Sequence, residues 1–165
     1  MKNTKLITML CLGALIACSP SKKGLEPTSE QVSPRERLIE NLRATPQKGI
    51  MFGHHDDTVY GIGWEFDEGG SDVQKVCGDY PAVISFDLGE IELGGDKSLD
   101  KVPFEKIRKE IINQYNRGGL VSLSWHPRNP KTGGDAWDVS DHAVVKSILP
   151  EGENYEKFQS WLGKV

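Results

Sequence analysis

Three short apolar runs, each closing on polar side chains and each followed by a helix-like stretch, constrain this chain more than any other feature. Gly49-Ile50-Met51-Phe52 leads into Gly53-His54-His55-Asp56-Asp57, Ala82-Val83-Ile84-Ser85-Phe86 ends at Asp87, and Leu120-Val121-Ser122-Leu123-Ser124 ends at Trp125-His126-Pro127. Apolar runs of this length without alternation suit strands buried on both faces. Ser71 to Val76 reads as a helix that breaks at Gly78. From Pro103 to Asn116, Phe104, Ile107, Ile111, Ile112 and Tyr115 recur at helical spacing before Gly118-Gly119 end the helix. A Gly-rich loop follows the third strand, then helical stretches from about Asp141 to Leu149 and from about Asn154. Such an order is the grammar of a parallel sheet wrapped by helices, an α/β fold.

In a (β/α)8 barrel the C-terminal strand ends carry the active site, and here those ends hold His, Asp and Trp-His. Three strands do not close a barrel, which usually needs about 250 residues. The last apolar face, Tyr155, Phe158, Trp161, Leu162 and Val165, also runs to the final residue without a cap, with nothing C-terminal to pack on. The expected architecture is therefore about three βα units, the N-terminal portion of a TIM-type barrel that is incomplete in this chain.

The first residues speak about address rather than fold. A basic head, Met1 to Lys5, precedes a mostly apolar run from Leu6 to Ala17, too short to span a bilayer but suited to an export signal. Leu15-Ile16-Ala17-Cys18 closes it, and the thiol of Cys18 can accept a diacylglyceryl group after cleavage. The reading is a lipoprotein signal peptide over 1–17, lipidation at Cys18, and a flexible polar tether over 18–32. An ordinary signal peptide cut near Ala17 is the alternative. Ser19 is not an inner-membrane retention signal of the Asp type, so the expected location is the outer membrane. The barrel portion would occupy 33–165, opening with the capping box Ser33-Pro34-Arg35-Glu36, continuing on the apolar face of Leu38, Ile39 and Leu42, and stopping at Pro46.

The formal charge is −4, and removal of Lys2 and Lys5 with the signal takes it to −6. An acidic balance without a basic run argues against nucleic acid as a partner. Cys11 leaves with the signal and Cys18 is lipidated, so only Cys77 remains, expected as a small core residue.

Several side chains are candidates for chemistry. His54-His55-Asp56-Asp57 contains good metal ligands, yet adjacent residues at a strand end diverge and cannot all face one ion. One histidine, His54, offered to a substrate pocket is the favoured role, with a purely structural loop as the alternative. Asp87 sits where a catalytic strand-end residue would sit, or caps a neighbouring element. Glu90 and Glu92 read as solvated acids in a Gly-flanked loop. Trp125 and Trp137 offer apolar platforms for sugar C–H groups, and His126 a partner for hydroxyls. A core role for Trp125 and a loop-anchor role for Trp137 stay open. Pro127 and Pro130 hold the intervening Arg128-Asn129 extended.

On three stretches the sequence resembles glycoside hydrolase family 26, the β-mannanases. They are Gly49-Ile50-Met51-Phe52-Gly53-His54-His55-Asp56-Asp57, Pro81-Ala82-Val83-Ile84-Ser85-Phe86-Asp87, and Gly118 to Pro130 through Trp125-His126-Pro127. The resemblance implies a (β/α)8 barrel that cuts β-1,4-mannan with retention, using two glutamates. It further implies that His126 lines the subsite holding the mannosyl unit under attack. Trp125 and His54 would lie near it, Trp137 on the loop beside it, and Asp87 in the same substrate-binding set. The family's general acid/base belongs to a Trp-Arg-x-x-His-Glu type motif after the fourth strand, and these residues contain no such motif. Glu151, Glu153 and Glu156 lie in the helical segment before it and are not catalytic. No catalytic residue, metal or organic cofactor is expected in this chain.

The leading expectation is thus the N-terminal part of a lipid-anchored endo-β-mannanase, inactive alone and facing β-mannan or manno-oligosaccharides. The alternatives are a lipoprotein that binds glycan without cutting it, and a metal-dependent polysaccharide deacetylase built on the His-His-Asp-Asp cluster.

Overall fold

The computed structural model describes residues 32–165, which fall in two units, 32–41 and 42–165. The expected signal peptide, Cys18 and nearly all of the tether lie outside the described residues. In the first unit the capping box forms as expected. Ser33 Oγ accepts the Glu36 N–H at 3.2 Å, and the Glu36 carboxylate accepts the Ser33 N–H at 2.9 Å. Helix α1 (Pro34–Ala44) starts there and ends in the second unit, where Pro46 sits in a 3-10 turn, Thr45–Gln47.

The second unit is built on a parallel sheet of three strands in the order β1 (Gly53–His55), β4 (Val83–Asp87), β5 (Leu120–Ser124). Its register pairs Gly53 with Val83 and Val83 with Leu120. Strand β1 falls on the polar residues and not on the apolar run before them. Ile50 is 99% exposed and Phe52 60%, and the ladder starts at Gly53, where a Cβ would already stand 3.3 Å from that of Val83.

Burial on both faces likewise describes only the central strand. In β4, Ile84, Phe86 and Asp87 are buried, whereas β1 is exposed throughout and Leu123 of β5 is half-exposed. The outer strands pair on one side only among the described residues. The core gathers Val59, Ile84, Phe86, Leu88, Val102 and Ile107, with Ile91, Phe104, Ile111, Val121 and Trp125 packed against it.

Between β1 and β4 lies a two-stranded hairpin that the apolar pattern does not announce, β2 (Tyr60–Gly61) and β3 (Trp64–Glu65). Asp72 fastens it to α2 (Asp72–Cys77): its carboxylate accepts the Ile62 N–H at 2.6 Å and the Trp64 indole N–H at 2.7 Å. A Cβ on Gly61 would meet both Asp72 and Trp64 at 2.3 Å, so only glycine fits. Helix α2 is capped by Ser71 and ends on Gly78 at φ 81°, as expected. Cys77, expected in the core, is exposed; this short helix buries none of its residues.

Helix α3 (Phe104–Asn116) matches expectation. Helix α4 (Val144–Ser147) is shorter than 141–149, because Asp141 accepts the Ala143 N–H at 2.7 Å in a local turn and Ile148 and Leu149 bond three residues back. Helix α5 (Tyr155–Leu162) corrects a further expectation in part, since Phe158 and Trp161 of its apolar face find cover while Leu162 stays 44% and Val165 52% exposed. Phe158 stacks on Trp125 with ring centroids 5.8 Å apart, Trp161 is buried, and Lys164 Nζ reaches the Glu92 carbonyl at 2.6 Å.

At the N-terminal edge of the sheet, Gln114 clamps the strands. Its side-chain amide donates to the carbonyls of Pro81, Ala82 and Leu120 at 3.0, 3.4 and 3.5 Å, while its oxygen accepts from Arg117 at 3.0 Å. Gly119 leaves room for that amide, which a Cβ would meet at 2.0 Å. Gln114→Ala removes the donor from the Pro81 carbonyl, while that of Ala82 keeps the Leu120 N–H at 2.8 Å, and is expected to lower unfolding stability by about 1–3 kcal/mol in urea melts of the chain. An unchanged midpoint would remove the clamp from the account.

Candidate functional site

Parallel pairing sets Asp87 beside Ser124, so the C-terminal ends of β4 and β5 present their polar groups together. The Asp87 side chain is 2% exposed. Oδ1 accepts the Gly89 N–H at 2.6 Å, and Oδ2 accepts the Ser124 hydroxyl at 2.8 Å and the His126 Nδ1–H. Burial pushes the Asp87 carboxyl up. The hydrogen bonds from Ser124, Gly89 and His126, with the His126 charge, outweigh that and hold it below the usual carboxylate range. Gly89 is required here: a Cβ would stand 2.0 Å from Leu99 and 2.8 Å from Asp87 Oδ1.

With Nδ1 committed to Asp87, Nε2 is the ring atom of His126 left to meet a ligand. The imidazole is 47% exposed and stacks on Trp137, ring centroids 5.4 Å apart and planes at 11°. Trp137 itself is 65% exposed. A buried carboxylate, an oriented imidazole and an exposed indole thus share one rim, which suits a ligand with hydroxyls on one side and C–H groups on the other.

The loop carrying this rim is held by residues that sequence reasoning set aside. Glu92 is a buried anchor and not a solvated acid: its two oxygens accept the Trp125 indole N–H at 2.9 Å and the Arg128 N–H at 2.7 Å. Glu90 pairs with the Arg128 guanidinium at 2.5 Å. Asn129, also buried, donates to the Asp138 carbonyl at 3.1 Å and accepts the N–H groups of Lys131 and Thr132. Because α5 covers one face of Trp125 and Glu92 holds its edge, its packing role is visible in the structure. No local pattern in the sequence marks Glu92; the 3-10 turn Ile91–Leu93, which begins on Glu90 at φ 71°, turns it inward.

A cleft of about 540 Å³ opens under the 127–142 loop, lined by Trp125, His126, Asn129, Val139, Val144 and Phe158 among others. It shares only Trp125 and His126 with the expected site residues. Asp87 and Trp137 meet His126 at the rim instead, and the rim is the better candidate because the polar groups converge there.

The His-His-Asp-Asp stretch separates. His54, on β1, donates from Nδ1 to the His55 carbonyl at 2.7 Å and joins neither rim nor cleft. Asp57 turns inward, accepting the Val73 N–H at 3.2 Å and the Ser71 hydroxyl at the start of α2. Asp56, 2% exposed, accepts the Tyr60 hydroxyl and faces His55 Nε2, each at 3.2 Å. Burial raises its carboxyl above the usual range; His55 and Tyr60 oppose this, while Asp100 and Asp87 reinforce it. Tyr60 is pushed up to about 12, first by burial and then by Asp56. Among the described residues, His55, Asp56 and Asp100 have ligating atoms within 4.8 Å of one another, the one such grouping of three.

A family model for glycosyl hydrolase family 26 matches residues 27–165. A mannan endo-1,4-beta-mannosidase of Bifidobacterium adolescentis is 30% identical over 132 residues, covering 78% of this chain and 13% of that protein. Among solved structures, a GH26 β-mannanase from Bacteroides ovatus is 62% identical with a TM-score of 0.75, covering 77% of this chain and 37% of the other. A modular endo-β-1,4-mannanase from Cellulomonas fimi is 28% identical with a TM-score of 0.58, covering 71% and 27%. The chain thus spans between 13% and 37% of these relatives, and its parallel strands and helices form part of their barrel.

Folding lowers the Asp87 pKa, so between the folded and unfolded values the folded state holds fewer protons. The stability this carboxylate contributes is full above the unfolded value of about 3.9 and is lost as pH falls through the folded one. Asp87→Asn is expected to flatten the acid limb of a stability-against-pH profile measured by urea unfolding. A limb as steep as that of the parent would contradict the assignment.

Proposed function

This chain belongs to glycosyl hydrolase family 26, and from that membership we propose that it is the sugar-gripping front of a lipid-anchored endo-1,4-β-mannanase. The observation that carries the proposal is the rim where Asp87 orients His126 and His126 stacks on Trp137, at the C-terminal ends of adjacent parallel strands. A barrel's substrate meets its strands at that end. A mannosyl ring would lay its C–H face near the Trp137 indole and take a hydrogen bond from or to His126 Nε2. Asp87 fixes the tautomer that makes this possible. Trp125 would serve the neighbouring sugar through the cleft it lines, whereas His54, which joins neither rim nor cleft, takes no sugar contact in this proposal.

Retaining hydrolysis needs an acid/base and a nucleophilic carboxylate about 5–5.5 Å apart. We place both glutamates beyond residue 165, since the Trp-Arg-x-x-His-Glu type motif is not found in this sequence. The 165 residues alone would then bind mannan without cutting it. Cys18 would carry the lipid and 18–32 the tether, holding the barrel at the outer membrane.

Affinity electrophoresis of the purified chain in gels containing glucomannan is expected to show retardation, with Trp137→Ala and His126→Ala each weakening binding roughly tenfold, about 1.4 kcal/mol. Retardation equal to the parent in both variants would move the sugar site elsewhere. Release of manno-oligosaccharides by the 18–165 polypeptide would overturn the placement of the glutamates. Expression in a Gram-negative host with labelled palmitate is expected to label the chain, and Cys18→Ser to abolish the label; labelled Cys18→Ser protein would rule out the anchor.

A further inference from the structure

The grouping of His55, Asp56 and Asp100 is used by neither the rim nor the cleft beside it. We propose that these three side chains form a binding site for a divalent transition-metal ion, with Zn²⁺ and Mn²⁺ as the ions of suitable preference. One imidazole and two carboxylates make a mixed nitrogen and oxygen donor set; imidazole favours zinc and carboxylate accommodates both.

Geometry supports the assignment first. The three ligating atoms lie within 4.8 Å of one another, so some point lies no farther than about 2.8 Å from each. Metal–ligand bonds of about 2.0–2.2 Å therefore need only small side-chain adjustments. His55 and Asp100 are exposed and free to make them, while Asp56 is fixed, its N–H donating to the Ser85 carbonyl at 2.8 Å. The donors come from the end of β1 and from the 96–102 loop, so the ion would join two segments that are far apart in sequence.

A second observation is independent of spacing. Asp56 is 2% exposed, and its Oδ1 is buried with no hydrogen-bond partner. A buried carboxylate oxygen left unpaired is costly unless a cation or donor meets it. Oδ2 is already shared by Tyr60 and His55. The charges of Asp100 and Asp87 also bear on Asp56, so the surroundings favour a further positive charge. Asp100 also lines an open cleft of about 490 Å³ with Tyr60, Phe66 and Lys97, which offers a path from solvent.

The full chain, free of any affinity tag and stripped with EDTA, should bind Zn²⁺ or Mn²⁺ at one ion per chain in isothermal titration. His55→Ala and Asp100→Asn, both exposed positions, should each weaken that binding at least tenfold, and His142→Ala should leave it unchanged. In parallel, saturating ion should raise the Tm of the parent and of His142→Ala but not of the other two variants. Affinity unaffected by either His55→Ala or Asp100→Asn, a Tm that does not respond to the ion, or retention of Ca²⁺ alone would each overturn the site.

Discussion

The hydrogen bonds that converge on the Asp87 carboxylate organise the molecule around one buried charge. Taking a carboxylate out of water is expensive, and the chain offsets it with three donors from three places. A loop N–H comes from Gly89, a hydroxyl from β5, and an imidazole from the segment after it. Each donor fixes something else in turn. Gly89 sets the close approach of Leu99, Ser124 locks the register of β4 against β5, and His126 presents its free nitrogen and its stacked indole outward. The rim therefore inherits its order from the core rather than from its own loop, whose tip carries the exposed Trp137.

Around that charge the scaffold uses a second buried acid with a different purpose. Glu92 binds one indole and one backbone N–H, so it shapes the 125–130 segment without facing a ligand. Asp57 and Asp72 act similarly near β1, one at the start of α2 and one on the hairpin. Asp56, Asp57, Asp72, Asp87 and Glu92 look alike in the chain. Their roles diverge because each meets a different donor set, and Asp56 keeps one oxygen that no donor meets.

That divergence explains what could be read in the sequence. The strand–helix order, the ends of β4 and β5, the span of α3 and the caps of α1 and α2 were legible, because periodicity and capping residues are local signals. Asp87, His126 and Trp137 were legible as candidates; the meeting of Asp87 with His126 follows from parallel strand order, and that of Trp137 with His126 from the fold of the loop after β5. Glu92 and Asp100 were not, since their partners lie more than thirty residues away in the chain. The hairpin at Tyr60–Glu65 hides in two short glycine-spaced strands, too brief for alternation to register. Cys77 misled because residue type suggested burial where a six-residue helix offered none.

The fastening of Trp125 and Glu92 by Phe158 and Lys164 has a consequence for how the protein is made. Strands β4 and β5 emerge from the ribosome well before α5 does. Until the residues of α5 have cleared the exit tunnel, the segment that bears His126 lacks the ring and the ammonium group that brace its base. The rim is thus braced only once a helix that follows it in the chain has been made. A pause in translation between residues 130 and 164 would leave that rim open to chaperones and proteases for as long as the pause lasts.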